Sequence, residues 1–445
     1  MYMTIPLKYK LGLDQLLWMM TGVLITMPVF TLPVGGVALY NVPFVIAIML
    51  QPLRKNGRIY FYKIPLCLFI ISLVISSVMC RFIVPEEWYT TSMRAVIKLV
   101  GFFLFMLLFF SDQELVKCRR FFMKGLLVAV PIQFFWIVLQ SLCWSMLHVK
   151  LNSVIFGVKV YVEGTQGITL TGLSWERADT AFLFAIATAY SKNPYIRIMA
   201  LIGTIMTTSR SGLLMIGIVY GYELLLNLPK LLRTIRLKSK TIFKIMCGVF
   251  ALGILVVVLQ YVHISAIDNL FIKLSQLIVR LTGIFTDTSE YGTKRVDPHK
   301  MYFLWLPNTL RQSSLHQLLI GSGTRISGWM YTQIYHRFPN YGPWNIECDF
   351  VSLLLGNGLL GFASCYITLL INFFITKSKA QKKIIILFLA GSLFYQFVSS
   401  TLGLLLIVFA FNNVEENEGL DFQSDKVVKK AKVLLKRLGI GEING

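Results

Sequence analysis

The chain is a succession of long apolar runs separated by short, strongly basic gaps, and nothing else about it constrains the fold as much. Apolar stretches lie at about Leu16–Leu32, Gly36–Leu53, Ile64–Cys80, Val96–Phe110 and Gly125–Leu147. Others follow at Thr180–Tyr190, Ile198–Thr208, Leu213–Leu228, Ile245–Val262, Phe350–Phe374 and Ile384–Phe411. A helix needs roughly 20 apolar residues to cross a bilayer, and most of these runs approach that length. The last is too long for one untilted crossing and is expected to split near Ser399-Ser400-Thr401. With 56% hydrophobic residues the chain is too apolar for a soluble protein. The expected fold is an all-α polytopic membrane protein with about 11–12 transmembrane helices.

The net charge of +22 raises the question of nucleic acid. The basic clusters answer it by position. Arg54, Lys55, Arg58 and Lys63 fill one gap, and Lys117, Arg119, Arg120 and Lys124 another. Lys230, Arg233, Arg236, Lys238, Lys240 and Lys244 fill a third, and Lys377, Lys379, Lys382 and Lys383 a fourth. Short gaps of this kind are cytoplasmic under the positive-inside rule, so the charge encodes topology and no nucleic-acid partner is expected. Lys8 and Lys10 precede the first run without a small-residue cleavage site, which reads as a retained first helix. Both termini are then cytoplasmic. In the tail, 412–445, Val427, Ala431, Leu434 and Leu438 share a helical face ringed by lysines, the pattern of a basic amphipathic helix on an anionic leaflet.

Four regions follow: helices 1–9 over 1–262, a long outer segment at 263–345, helices 10–12 over 346–411, and the tail. The 263–345 segment contains no run long enough to span a bilayer and far exceeds an ordinary connection. Its aromatic and β-branched content argues for a folded cap between helices 9 and 10. A second outer segment, 148–179, carries Gly157, Gly164, Gly167 and Gly172, which reads as turns and short strands.

Candidate chemistry gathers on this outer side. Arg177 precedes the sixth helix. Arg210 sits in Ser209-Arg210-Ser211-Gly212, the only charge between Arg197 and Glu223. An arginine at membrane depth costs at least about 2.5 kcal/mol unless it meets a polar cavity or snorkels to water. Arg295 lies in the long outer segment. Arginines converging at such a boundary suit phosphate, because the guanidinium fork binds oxyanions with two hydrogen bonds and keeps its charge. Glu347 and Asp349 stand beside them as candidate general bases, or as ordinary acids favoured at a helix N-terminus. Trp175, Trp305, Trp329 and Trp344 are candidates for sugar stacking or for an interfacial belt. The histidine spacing matches no metal motif and the seven cysteines form no CxxC pair, so neither metal nor cofactor is expected.

These motifs resemble those of the bacterial O-antigen polymerase and ligase superfamily. Thr207-Thr208-Ser209-Arg210-Ser211-Gly212 resembles its arginine-bearing helix start, and Thr171-Gly172-Leu173 with Arg177 an earlier outer motif. Gly292-Thr293-Lys294-Arg295, then Trp305, then Gly321-Ser322-Gly323, resembles its outer loop. Glu347-Cys348 leading to Gly356-Asn357-Gly358-Leu359-Leu360-Gly361 resembles its final motif, with Glu347 where ligases carry histidine. That departure is closer to a Wzy-type polymerase than to a ligase.

The resemblance implies a GT-C-like enzyme of the bacterial inner membrane that joins undecaprenyl-pyrophosphate-linked repeat units on the periplasmic face. The transfer would invert the anomeric centre without a metal. Arg210 and Arg295 would hold the pyrophosphate, Arg177 the pyrophosphate or glycan, and Glu347 or Asp349 would act as base. A chain-length-regulating co-polymerase in the same membrane is the implied protein partner. The alternatives are an O-antigen ligase and a lipid-linked oligosaccharide flippase. From the alternating basic gaps, a reporter fused near Ser313 is expected to read periplasmic and one near Lys238 cytoplasmic. The reverse pattern in alkaline phosphatase and green fluorescent protein fusions would overturn the topology.

Overall fold

The computed structural model describes residues 12–31, 38–51, 63–158, 168–234, 298–336, 342–376, 378–397 and 400–410. The expected ninth helix, Arg295 and the basic tail lie outside them. Among the described residues the regular structure is helical, with no β-strand. The helices are α1 Leu13–Leu24, α2 Asn41–Met49, α3 Ile64–Met79, α4 Glu86–Phe109, α5 Asp112–Leu147, α6 Leu151–Phe156, α7 Arg177–Tyr190, α8 Pro194–Thr207 and α9 Arg210–Thr234. After the cap helices α10 Pro298–Gln312, α11 Leu315–Ile320 and α12 Trp329–Tyr335 come α13 Asp349–Ile375, α14 Lys379–Gly391 and α15 Thr401–Ala410.

Among the described residues four stretches are long and apolar enough to cross a membrane: Ile64–Phe82, Glu114–Leu147, Arg210–Leu228 and Asp349–Ile375. Their outward residues include Leu68, Ile71, Phe135, Leu139, Leu224, Leu225, Ile367, Leu370 and Phe374, all exposed. Such a coat has no place in water but suits lipid. Of the other expected crossings within the described residues, α4 has 24 residues and the rest are shorter. α7 and α8 have 14 residues each, or about 21 Å of rise against a hydrocarbon core of about 30 Å.

Several expected boundaries move. The polar piece Arg81–Arg94 is helical from Glu86, because Glu86 and Glu87 suit a helix N-terminus preceded by Pro85. α5 runs straight through the basic gap, since Ser111 and Glu114 form a capping box that starts it early. The 148–179 segment, expected as turns and short strands, begins with the short helix α6, and its residues 159–167 lie outside the described residues. The last apolar run does split, into α14 and α15, but the joint is the linker Ser392–Ser400.

α7 is the axis of the bundle. Every residue from Thr180 to Ala189 is buried, so the helix is enclosed on all sides. It packs against α5, α8, α9 and α14. Small residues allow the close approaches: Gly212 of α9 lies on Ala181, and Gly203 of α8 lies on the Phe184 ring. At one end of the bundle the charges are paired. Glu223 takes Arg197 at 2.5 Å and Lys383 at 2.5 Å, and Asp14 takes Lys117 at 2.5 Å. There Arg119, buried, donates to the Phe409 carbonyl at the end of α15 at 3.0 Å. At the other end lie the starts of α7, α9 and α13 and the α14–α15 linker.

α13 breaks at that second end. Gly358 has φ 63 and ψ −171, a region essentially reserved for glycine. The break frees the carbonyls of Leu355 and Gly356, and a loop from the cap meets them. Ser322 N–H donates to Leu355 O at 2.9 Å and Gly323 N–H to Gly356 O at 2.8 Å. The Ser76 hydroxyl adds a 2.6 Å bond to Gly356 O from α3. Asn357 donates to the Thr324 hydroxyl at 2.7 Å, which in turn donates to Leu73 O at 3.0 Å. Gly321, at φ 88 and ψ −175, lets the loop come this near; a Cβ there would run into the Gly356 carbonyl. Gly321→Ala is therefore expected to lower stability by at least about 1–3 kcal/mol from backbone conformation alone. Gly217→Ala, on an exposed helical face with open space beside it, is expected to be neutral or mildly stabilising. Thermal unfolding of the detergent-purified variants reads both, and equal effects would refute the docking.

Candidate active site

The segment that delivers α7 is held by polar side chains of α5. Gln133 accepts from Leu173 N–H at 2.7 Å and donates to Thr26 O at 2.6 Å. Gln140 accepts from Gly172 N–H at 3.0 Å. Asn152 donates to Gly172 O at 2.6 Å and accepts from Trp136 at 2.8 Å. Thr180 closes the turn on Thr171 O at 2.6 Å. These bonds satisfy an irregular backbone where the surroundings are apolar, which such a segment requires. They also fix Trp175, Glu176 and Arg177 at the head of α7.

A second arm enters from the cap. Directly after the docked loop, Arg325 stands at φ 62, an uncommon conformation for a side-chain-bearing residue and one that a crowded environment must enforce. Beyond it Ser327 accepts from Ile346 N–H at 3.1 Å and donates to Asn345 at 2.5 Å. Gln396 of the linker donates to Ile346 O at 2.7 Å. The chain from Asn345 to α13 is thereby clamped from both sides, and Glu347 projects from it, exposed.

The α14–α15 linker joins the two arms. Tyr395 donates its hydroxyl to Asp179 of α7 at 2.5 Å. Phe397 N–H donates to the Asp349 carboxylate at the start of α13, while Asp349 N–H returns to Tyr395 O at 3.1 Å. Two carboxylates are thus committed to holding the linker.

The charges that remain interact through the cleft. Asp179, Tyr40, Asp349 and Glu176 all act on the Arg325 guanidinium. Among the described residues Arg325 forms neither hydrogen bond nor ion pair, and the same holds for Glu176 and Glu347. Glu176 is reached by solvent, yet the cleft walls strip much of its hydration. That desolvation, with the negative charges of Asp179 and Glu347, pushes its carboxyl up to about 7 against the opposing pull of Arg177 and Arg325.

Of the residues expected from sequence, Arg177 and Arg210 open α7 and α9 at this end, and Glu347 faces the same cleft. Asp349 is 1% exposed and engaged by the linker, so its carboxylate holds structure here and is closed to solvent. Arg295 lies outside the described residues. Trp305 stacks on Tyr335 at 4.6 Å within the cap, Trp329 packs on Trp88 at 5.0 Å, and Trp344 covers Gly328 and donates to Thr332. These three belong to the cap core. Trp175, 46% exposed, keeps an open face beside Glu176. Arg325, Glu176, Asp179 and Tyr395 were not singled out by sequence. Only Arg325, two residues past the Gly-Ser-Gly turn, offered a signal. Among the described residues no three metal-ligating side chains converge.

The arrangement offers two guanidiniums and a helix N-terminus for an oxyanion, two uncommitted carboxylates for a proton, and one open indole. Asp349→Ala leaves the buried Phe397 N–H without its acceptor and is expected to cost about 1–3 kcal/mol of stability. Asp349→Asn, whose amide oxygen still accepts, is expected to lose less. Equal losses in thermal unfolding would show that the negative charge itself, not the acceptor, holds the linker. Comparison with models of known protein families and with curated proteins finds no match.

Proposed function

We propose that this chain polymerises lipid-linked oligosaccharide repeat units, most specifically units on undecaprenyl pyrophosphate, at the periplasmic face of a bacterial inner membrane. The observation that carries the reading is the shared position of three helix starts. Three helices begin at one end of the bundle with Arg177, Arg210 and Asp349 in their first turns. A helix start presents unpaired N–H groups and the positive end of its dipole. Two such starts carrying arginines suit a pyrophosphate, whose leaving charge they would stabilise in a poorly hydrated pocket.

In the reaction a hydroxyl of the acceptor unit attacks the anomeric carbon of the donor glycan with inversion. The bond to the pyrophosphate oxygen breaks, the lipid pyrophosphate departs with the electron pair, and a carboxylate takes the hydroxyl proton. Glu347, at the ligase histidine position of the resemblance, and Glu176 are the two carboxylates free to do so. The large folded cap over one end suits glycan handling and speaks against a flippase. A ligase differs in its acceptor alone, and a co-polymerase would dock elsewhere on the chain.

Cells lacking the protein are expected to lose the surface polysaccharide ladder while keeping a single core-plus-one-repeat band. Loss of every band above bare core would instead indicate a ligase or flippase. Complementation with Arg210→Ala is expected to restore no ladder although the variant inserts at wild-type level. Normal chain length in that strain would remove Arg210 from the site.

A further inference from the structure

We propose that Glu176, at the head of α7, is the group that takes the proton from the attacking hydroxyl, and that Glu347 sustains it in that role by like-charge repulsion. The assignment rests on the polymerase reading above.

Four carboxylates lie at this end of the bundle without gathering at one point, and their bonding separates them. Asp349 accepts from Phe397 N–H and Asp179 from the Tyr395 hydroxyl. Both hold the linker, and Asp349 is closed to solvent. Glu176 and Glu347 carry no hydrogen bond among the described residues and both reach solvent. Of these two, Glu176 adjoins Trp175, the one tryptophan of the site with an open face. Both side chains are exposed at the head of α7.

Charge divides the cleft in the same sense. Arg325 is already acted on by Asp179, Asp349 and Glu176. Pyrophosphate arriving there would meet a surplus of negative charge, whereas neutral hydroxyls can pair with both guanidinium and carboxylates. The acidic side around Arg325 therefore fits the acceptor sugar. Arg210, which opens α9 and is not among the charges acting on Glu176 or Arg325, fits the departing pyrophosphate. An inverting displacement needs this separation, because nucleophile and leaving group lie on opposite faces of the anomeric carbon.

Glu176 faces Asp179 and Arg177 of its own helix, Glu347 from the segment entering α13, Arg325 from the docked loop and Tyr395 from the linker. With its carboxyl near 7, it is basic enough to accept a proton in the transition state and still largely ionised at slightly alkaline pH, the best compromise for a general base. The sign follows directly. Only the ionised form works, so turnover rises with pH through about 7. Removing the Glu347 charge lowers the Glu176 value and moves that limb to lower pH. Proton balance is complete: the acceptor O–H proton goes to Glu176 as the C–O bond forms, and then to water once the lipid pyrophosphate has left.

Two readouts test this on the full chain purified in detergent, using lipid-linked repeat units extracted from cells that lack the protein. In difference infrared titration, a protonated-carboxyl band is expected to ionise near neutral pH. It should be absent in Glu176→Gln and move to lower pH in Glu347→Gln. In the polymerisation assay Glu176→Gln is expected to lose about 10²–10⁴-fold in turnover with little change in apparent substrate binding. Glu176→Asp should recover part of it, and in Glu347→Gln the rise of turnover with pH should move to lower pH. A neutral-range band that persists in Glu176→Gln, or wild-type turnover in that variant, overturns the assignment and leaves the polymerase reading standing. No polymer from the wild-type protein on authentic units overturns the polymerase reading, and the proton role with it, whatever the infrared titration shows.

Discussion

Two backbone carbonyls, Leu355 O and Gly356 O, govern the geometry of the cleft. They are released where α13 breaks at Gly358, inside a body too apolar to hydrate them. An unsatisfied carbonyl there costs several kcal/mol, so the break exists only because the Gly321–Thr324 loop and Ser76 supply donors. The pairing works in both directions. It mends the helix, and it ties the cap to the bundle at one register, where glycine at 321 and 358 permits the close approach. Arg325 comes one residue after Thr324, and its position is a consequence of that contact. The left-handed backbone at Arg325 is tolerated because the residues on either side are already fixed, Thr324 to α3 and Ser327 to the chain before α13.

The same economy appears on the α7 side. Amide side chains in a membrane-crossing helix are expensive unless bonded, and Gln133 and Gln140 of α5 are bonded to the turn that launches α7. The amides therefore convert a potential penalty into positional control over Glu176 and Arg177. The linker Ser392–Ser400 then bridges both arms through Tyr395–Asp179 and Phe397–Asp349. The cleft is consequently built on backbone anchored from four directions, which is how a few charged groups are held apart in a low-dielectric setting without collapsing into ion pairs.

Much of this framework was legible in the sequence, because each anchor is an anomaly in an apolar text. A serine–arginine–serine–glycine break in a hydrophobic run marks the α8–α9 hairpin, and two glycine pairs at 321–323 and 356–358 mark the docking. What could not be read was the pairing itself. The Tyr395–Asp179 bond joins residues 216 positions apart, and neither residue stands out locally. Asp349 illustrates the limit more sharply. At a helix start beside Glu347 it has the composition of a catalytic acid, and only the position of the Phe397 N–H assigns it to structure. The tryptophans behave alike: four equivalent candidates by sequence become three cap-core residues and one open face. Boundaries such as the start of α5 moved for a local reason, the Ser111–Glu114 capping box, that hydropathy alone overrides.

The two ends of the bundle make the strongest argument that this cleft is functional. At the far end the described acids are met by bases: Glu223 takes both Arg197 and Lys383, Asp14 takes Lys117, and Arg119 donates to the carbonyl of Phe409. Folding alone favours such satisfaction, since an unpaired charge away from bulk water is costly. At the cleft, Arg325, Glu176 and Glu347 are held within electrostatic reach of opposite charges and yet bonded to none. A stability-driven sequence would close these gaps or replace the groups with apolar ones. Keeping them apart means holding Arg325 in an uncommon backbone conformation and raising the proton affinity of Glu176, and the return on both is the same. The unmet hydrogen bonds are available to a ligand that brings its own hydroxyls and phosphates.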